Sequence, residues 1–290
     1  DVGLDAGHED AKALQLGRFW WYCFQLRGQY DAVFVHMNPI WVVVGTSLWH
    51  RLGKKVFFWY THKAVTTKLR LAEKLADVIF TASPESFRLP SKKVIVTGHG
   101  IDTELFKPDP AVRRPPMSIL TVGRIAPVKN YEVLVDALKL LADQNLDFSM
   151  TIVGEPALAE DRSYAERLKE RVRTLGLADR IVFLGKKQNR ELVSIYQSHD
   201  IFVHMSKTGS VDKALLEAMA CGMKIISSND AARGFLPEKY IVDENNAELL
   251  AGKIVSLRKV SADPFLREYV VQHHNLDNLL DKIKTVTDGK

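Results

Sequence analysis

The sequence has little cysteine and lacks any long hydrophobic run. Its 290 residues include two cysteines, Cys23 and Cys221, and both lie in apolar segments with a helical pattern. This argues against a disulfide scaffold or a zinc site and fits a reducing compartment. No apolar run approaches the roughly 18–20 residues that cross a bilayer. We therefore expect a cytoplasmic protein, at most peripheral to the inner face of the membrane.

Several motifs of well-known protein classes are also missing. The histidines are scattered, without H-x-x-x-H spacing or a cysteine partner, so no metal site is predicted. No strand-like segment precedes G-x-G-x-x-G, which argues against a nicotinamide oxidoreductase. The sequence contains no base-stacking motif of the kind that binds nucleic acid, which argues against a nucleic-acid-binding protein. The net charge of +5 nevertheless indicates anionic partners, and nucleotides, phosphate or lipid headgroups fit basic residues that are spread along the chain.

Short β-branched or aromatic segments alternate with longer helical patterns. The strand-like segments are 32–36, 55–61, 78–82, 93–98, 118–123, 149–154, 181–185, 201–205 and 224–228. The helical patterns cover 10–29, 41–52, 65–76, 129–144, 161–175, 189–198, 212–221, 244–259 and 263–288. Because the strand-like segments are apolar throughout, they indicate parallel strands covered on both faces. The pattern predicts a doubly wound α/β fold.

A proline-rich segment divides the chain. Residues 107–116 read KPDPAVRRPP, which is typical of a linker. We therefore predict two α/β domains, residues 1–108 and residues 109–290. The helical stretch 263–288 could pack back across the divide.

The segment TVGRIAPVKN, residues 121–130, places two basic side chains where a strand meets a helix. Gly123 permits a tight turn, and Arg124 and Lys129 flank it at the carboxyl end of a predicted parallel strand, where open α/β sheets bind ligands. A guanidinium and an ammonium beside a helix N-terminus suit a diphosphate. In the alternative interpretation both are solvated loop charges.

The segment 206–228 repeats this arrangement and adds an unusual residue. A polar loop, SKTGSVD, precedes an apolar helix, and Glu217 lies in the middle of that helix. An unpaired buried carboxylate is costly, so we expect a partner for it. That partner is a lysine or a backbone amide in one interpretation, and a pair of ligand hydroxyls, such as those of a ribose, in the other.

Three passages together resemble a known family. They are VIVTGHGIDTELFKP (94–108), VGRIAPVKN (122–130) and VHMSKTGSVDKALLEAMACGMKIISS (203–228). In order and spacing they resemble the retaining glycosyltransferases of family 4, which have the GT-B fold of two Rossmann-like domains. Nothing before residue 30 resembles the first strand and glycine-rich loop of the family, so we expect the first domain to be incomplete in this chain.

The resemblance implies roles for matched residues. Arg124 and Lys129 would neutralise the nucleotide diphosphate as it leaves, and Glu217 would bind the donor ribose. His62 would lie near the transferred sugar, and the backbone at Lys187 would hold the nucleobase. The other donor-binding positions implied are Gly123, Gly209, Ser210 and Val211.

One position departs from the family pattern. The first glutamate of the family, eight positions before Glu217, falls on Gly209. Asp212 either replaces that glutamate as a catalytic residue or serves simply as a helix N-cap. His204, in the preceding strand, is interpreted as a packed strand residue.

The function implied is transfer of a sugar from a UDP- or GDP-linked donor to a hydroxyl of a glycan or lipid-linked acceptor, with retention and without a metal or other cofactor. A nucleotide-sugar epimerase of the same fold and a nucleotide-binding module without turnover are the alternatives. The aromatic segment around Trp20, Trp21 and Phe24 is a core helix in its simplest interpretation and a peripheral membrane contact in the other.

Overall fold

A computed structural model describes residues 12–206 and 209–289, and it confirms the alternation of strands and helices. The strands are β1 (Ala32–His36), β2 (Lys55–Trp59), β3 (Val78–Thr81), β4 (Val94–Val96), β5 (Ser118–Val122), β6 (Ser149–Val153), β7 (Ile181–Gly185), β8 (Ile201–His204) and β9 (Lys224–Ser227). The helices are α1 (Lys12–Gln25), α2 (Pro39–Arg51), α3 (Thr67–Leu75), α4 (Tyr131–Asp143), α5 (Ala159–Thr174), α6 (Asn189–Ser198), α7 (Lys213–Ala220), α8 (Ala247–Ser256), α9 (Pro264–His273) and α10 (Leu276–Thr287). Each predicted strand segment contains one of these strands.

The stretch predicted as one helix, residues 263–288, is instead two helices separated at His274 and Asn275. The carbonyl of His274 accepts from the N–H of Ile101 at 2.7 Å, and Asn275 forms a parallel β-bridge with Ile101. The side-chain amide of Asn275 also donates to Thr103 Oγ1 at 2.6 Å. These hydrogen bonds come from a distant part of the sequence, and they outweigh the local helix propensity.

By their contacts the residues divide into two compact units, Asp1–Thr97 with Lys282–Lys290 and Gly98–Asp281. In the first unit the strands pair in parallel in the order β1-β2-β3-β4. Side chains from these strands and from α2 and α3 form its core. Within the described residues the strands of this sheet lie side by side in the order in which they occur in the chain, without the reversal of order that a doubly wound sheet shows.

Helix α1 is a core helix on one side only. Phe19 and Cys23 pack against the core of the first unit. Trp20, Trp21 and Phe24 are 47%, 56% and 52% exposed, so the interpretation as a core helix holds for Phe19 and Cys23 but not for these three side chains. Within the described ranges, no helix combines the length and the apolar character needed to cross a bilayer.

In the second unit the strands pair in parallel in the order β7-β6-β5-β8-β9. The order reverses between β5 and β8, and the carboxyl ends of such a strand pair are where doubly wound sheets bind ligands. Helices α4, α5 and α8 cover one face of the sheet, and α6, α7 and α9 cover the other. Along β8, Val203 belongs to the first of these cores and Phe202 to the second. Because both faces are buried, the strands are apolar throughout, as predicted.

The proline-rich segment is packed onto the second unit rather than forming a free linker. The guanidinium of Arg114 donates to the carbonyls of Gln197, Cys221 and Gly222 at 3.0, 2.6 and 2.7 Å. Two of these carbonyls close α7, where a cation also compensates the negative end of the helix dipole. The division between the units falls at Gly98, ahead of the predicted boundary, because the segment from Gly98 onward makes its hydrogen bonds within the second unit.

Replacing Arg114 by Met removes these hydrogen bonds and leaves their carbonyls without a protein donor. We expect the free energy of unfolding, measured with urea, to fall by about 3 kcal/mol, at about 1 kcal/mol for each bond. Arg113→Met is the matched control, because Arg113 is exposed and makes no hydrogen bond or ion pair within the described residues. Equal losses in the two variants would contradict a docking role for Arg114.

Candidate active site at the carboxyl ends of β5 and β8

The loop after β5 is held in one conformation by its neighbours. The hydroxyl of Tyr131 donates to the carbonyl of Gly123 at 3.1 Å. Asn130, left-handed at φ 49°, precedes α4 and donates its side-chain amide to the carbonyl of Glu244. Gly154, which has φ 141°, packs directly against the same turn. A Cβ at this position would lie 1.9 Å from the carbonyl oxygen of Gly123. A side chain at position 154 would therefore displace the turn.

Lys129, at the end of this loop, reaches the loop after β8. Its ammonium forms an ion pair with Asp212 and lies 3.4 Å from Ser206 Oγ. The same oxygen of Asp212, Oδ2, lies 2.6 Å from His204 Nε2. His204 is 2% exposed at the end of β8, and its Nδ1 lies 3.3 Å from Ser227 Oγ. One carboxylate therefore joins the loops of the two central strands where the strand order reverses.

The carboxyl group of Asp212 is held in its ionised form. Burial by itself would raise its pKa, but the hydrogen bond and charge of His204, followed by those of Lys129, hold the pKa well below the usual range. Asp212 stands at the N-cap position of α7, yet its side chain accepts no hydrogen bond from the helix N–H groups. The carboxylate is therefore engaged by the Lys129–His204 cluster rather than by the helix.

Arg124 contacts a different carboxylate. Its Nε lies 3.6 Å from Asp161 Oδ2, and its side chain is 42% exposed while that of Asp161 is 6% exposed. Asp161 Oδ2 also accepts from the N–H of Leu158 at 3.3 Å. Both cations predicted to bind a diphosphate, Arg124 and Lys129, thus have carboxylate partners here, and an anion would have to share or displace them.

Glu217 is buried, with 8% of its surface exposed. Its Oε2 accepts from the hydroxyl of Tyr196 at 2.9 Å, so its partner is neither a lysine nor a backbone amide. Burial raises the pKa of Glu217, against the opposing effects of the Tyr196 hydrogen bond and the charge of Lys213. Burial and the charge of Glu217 raise the pKa of Tyr196, so the phenol remains a donor. Among the described residues Oε1 accepts no hydrogen bond, which leaves this oxygen available to a ligand hydroxyl.

The loop between β8 and α7 holds the predicted donor-binding residues Gly209, Ser210 and Val211, while residues 207–208 lie outside the described ranges. The carbonyl of Ser210 accepts from Asn229 Nδ2 at 3.1 Å. Val211 is 5% exposed and belongs to the core beneath α7. Both contacts anchor the end of the loop against the second unit.

Two further predicted residues belong to other parts of the chain. Lys187 follows β7, and its ammonium lies 3.7 Å from Glu191 Oε1. His62 follows β2 in the first unit, is exposed, and accepts at Nδ1 from the N–H of Ala64 at 3.1 Å. The roles of the Lys187 backbone at the nucleobase and of His62 at the sugar stay predictions.

Sequence reasoning missed the two side chains that hold the carboxylates. His204 is packed in its strand, as expected, but it also binds Asp212. Its position as the last residue of β8 was the available signal, since strand carboxyl ends face the site. Tyr196 lies on α6, and no local pattern connects it with Glu217. Within the described part of the chain, no group of three or more His, Cys, Asp or Glu side chains could hold a metal ion.

The chain is similar to known proteins in sequence and in fold. Residues 102–275, more than half of the chain, match the family described as glycosyl transferases group 1. Mannosylfructose-phosphate synthase of Agrobacterium fabrum is 33% identical over 106 residues, which cover 36% of this chain and 23% of that protein. The amylovoran biosynthesis glycosyltransferase AmsK of Erwinia amylovora is 30% identical over 186 residues, which cover 60% of this chain and 44% of that protein. The crystal structure of HepE of Anabaena in complex with UDP has a TM-score of 0.80 at 17% identity, covering 98% of this chain and 85% of that one.

The chain belongs to the glycosyl transferases group 1, and its fold is that of the GT-B glycosyltransferases. This confirms the predicted α/β fold and the predicted kinship with glycosyltransferases. The chain spans less than half the length of the two curated relatives just described.

Proposed function

We propose that this protein transfers a sugar from a UDP- or GDP-linked donor to a hydroxyl of a glycan or a lipid-linked glycan. The transfer retains the anomeric configuration and uses no metal ion. The carrying observation is the convergence of Lys129 and Asp212 where the strand order reverses, with the buried Glu217 on the helix that follows. The relatives support the reaction class, since AmsK is named a glycosyltransferase and the HepE crystal contains UDP.

Positive charge beside the leaving group is the main catalytic effect in this proposal. The bond between the sugar C1 and the phosphate oxygen breaks with both electrons remaining on the diphosphate. Lys129 and Arg124 stabilise the charge that develops there, and a contact of this kind typically contributes about 3 kcal/mol to lowering the barrier. To do so, Lys129 turns from Asp212 towards a phosphate oxygen.

Asp212 takes the role of the glutamate that the family pattern has at the position of Gly209. His204 keeps the Asp212 carboxylate in position when Lys129 turns to the phosphate. Oδ1 of Asp212, which accepts no hydrogen bond from the described residues, then accepts from a sugar hydroxyl. The acceptor hydroxyl attacks C1 from the face that the diphosphate leaves, and its proton passes to a phosphate oxygen, so the configuration at C1 is kept.

The donor ribose is bound by Glu217. Because Tyr196 occupies Oε2, the ribose hydroxyls are received chiefly at Oε1 rather than by both oxygens equally. The buried phenol fixes the carboxylate without adding a charge of its own, so the orientation is set before the ligand arrives.

A lipid-linked acceptor is included because of the exposed side of α1. Trp20, Trp21 and Phe24 are aromatic side chains of the kind that lie at a membrane interface. Sedimentation with anionic vesicles tests this contact, and protein that stays in the supernatant at low salt would remove it from the proposal.

Calorimetry with UDP and GDP, followed by incubation with the matching nucleotide sugars in EDTA, tests the proposed reaction. We expect one nucleoside diphosphate to bind, and NMR to show that its sugar is transferred or released with retention. Conversion to another nucleotide sugar without an acceptor would identify the epimerase, which the low pKa of Asp212 disfavours as a proton-exchanging group. Binding without turnover would identify the binding module, and failure of both nucleotides to bind contradicts the proposal.

A further inference from the structure

His99 lies at the start of the second unit in a loop whose backbone is fixed from both sides. Gly98 has φ 87°, and a Cβ there would lie 2.2 Å from the carbonyl oxygen of His273. The N–H of His99 donates to His274 Nδ1 at 3.2 Å, and the N–H of Ile101 donates to the His274 carbonyl at 2.7 Å. The break between α9 and α10 therefore determines where the imidazole of His99 is placed.

His99 Nε2 is buried and has no hydrogen-bond partner among the described residues. A buried polar atom left without a partner costs roughly 1–3 kcal/mol, and such atoms are rare in native proteins. Burial, followed by the charge of Lys213, lowers the pKa of His99 to about 4, so the ring is neutral at pH 7 and can donate one N–H without adding charge.

Lys213 carries a positive charge, which the neutral imidazole of His99 does not. It is the first residue of α7, its side chain is exposed, and within the described ranges it makes no ion pair. Lys129 and Arg124, in contrast, are paired with Asp212 and Asp161.

The charge of Lys213 acts on two groups, His99 and Glu217. It lowers the pKa of His99 and opposes the rise in the pKa of Glu217, while Asp212 acts on His99 as well. Lys213 and Glu217 are also four residues apart on α7, which places them on one face of the helix. Lys213 also directly follows Asp212, which pairs with Lys129, and the charges of both Asp212 and Lys213 act on His99, so these groups share the start of α7.

We propose that His99 Nε2 and Lys213 Nζ together bind the diphosphate of the nucleotide sugar. They are a second pair of donors beside Arg124 and Lys129, and this assignment rests on the proposed function. An ammonium and an imidazole nitrogen that have no hydrogen-bond or ion-pair partner among the described residues match a phosphate, which carries negative charge and several acceptor oxygens. Because neither group pairs with a carboxylate in the described part of the chain, this pair binds the ground-state diphosphate while Lys129 exchanges its partner.

The test compares ligands with and without phosphate in four variants. His99→Phe removes the donor, His99→Gln keeps an amide N–H close to the position of Nε2, Lys213→Met removes the charge, and Lys169→Met is a control on the exposed side of α5. Calorimetry measures UDP, GDP, inorganic pyrophosphate, uridine and guanosine. We expect His99→Phe and Lys213→Met to weaken the nucleoside diphosphate and pyrophosphate about fivefold or more. His99→Gln and Lys169→Met should stay close to the wild type, and nucleoside binding should be unchanged in all four.

Two results would overturn the assignment while leaving the proposed function intact. One is a wild-type protein that binds UDP or GDP with no loss in either His99→Phe or Lys213→Met. The other is an equal loss for nucleoside and nucleoside diphosphate, which would indicate a purely structural role. If His99→Phe does not fold, His99→Gln and the surface variant Lys213→Met still decide the question. A wild-type protein that binds neither UDP nor GDP refutes the proposed function itself.

Discussion

Glu217→Gln is expected to weaken the binding of the proposed UDP or GDP ligand about tenfold, or about 1.4 kcal/mol. The substitution keeps the size of the side chain and removes its charge. Hydrogen bonds to a charged acceptor contribute about 1.5–3 kcal/mol, and those to a neutral one about 0.5–1.5 kcal/mol. In the proposed function the ribose hydroxyls donate to Oε1 of Glu217, which accepts no hydrogen bond from the described residues, so the difference is expected in the dissociation constant measured by calorimetry.

Tyr196→Phe separates ribose binding from support of the fold. It removes the hydrogen bond to Glu217 Oε2 but leaves the charge of Glu217 in place. We expect a loss of affinity of about threefold, smaller than that of Glu217→Gln, because only the orientation of the carboxylate is relaxed. Glu166→Gln, exposed on α5, is the control for loss of a carboxylate. If Glu217 served only as a partner for Tyr196, Glu217→Gln and Tyr196→Phe would both lose stability and keep the affinity of the wild type.

Substitutions of the two partners of the Lys129–Asp212 ion pair are expected to change the affinity for the nucleoside diphosphate in opposite directions. We expect Lys129→Met to lower the affinity for UDP or GDP about tenfold and the rate of transfer about a hundredfold, because in the proposed function it removes the charge that stabilises the leaving diphosphate. Asp212→Asn removes the carboxylate that pairs with Lys129 and so frees Lys129 for the phosphates of the proposed donor. We therefore expect it to keep or raise the affinity for the nucleoside diphosphate, while transfer falls because the sugar hydroxyl of the proposed donor loses a charged acceptor.

Calorimetry gives the affinities and single-turnover kinetics give the rate of transfer. Lys169→Met is the charge-matched control on α5, and Lys129→Arg keeps the charge but changes the shape of the group. Equal losses of affinity in Lys129→Met and Asp212→Asn would contradict phosphate binding by Lys129. They would show that the two side chains matter only as a pair that joins the loops.

The strands were predictable from the sequence because their cause is local. A strand such as β8 is covered on both faces, so a short run of apolar residues between polar loops identifies it without knowledge of its neighbours. The break between α9 and α10 was not predictable. It depends on hydrogen bonds of His274 and Asn275 to residues about 170 positions earlier in the chain, and nothing within the helical stretch announces them.

The candidate site divides in the same way. Lys129, Asp212 and Glu217 stand in a loop after a strand or in an apolar helix, where their residue types are unusual enough to be noticed. Their partners were not visible, because His204 and Tyr196 have ordinary local surroundings. Which cation pairs with which carboxylate is set by distances across the sheet, as the pairing of Arg124 with Asp161 illustrates.

By itself, the sequence determined the alternation of strands and helices, the kinship with glycosyltransferases, and the burial of Glu217. These follow from hydrophobic patterns and motifs that are contiguous along the chain. Only the tertiary structure decided that Lys129 and His204 share one oxygen of Asp212 and that Tyr196 occupies one oxygen of Glu217. It also decided that Nε2 of His99 is buried without a hydrogen-bond partner among the described residues. The physical reason is that a hydrogen bond depends on distances of a few tenths of an ångström, which arise only when strands and helices far apart in the sequence pack together.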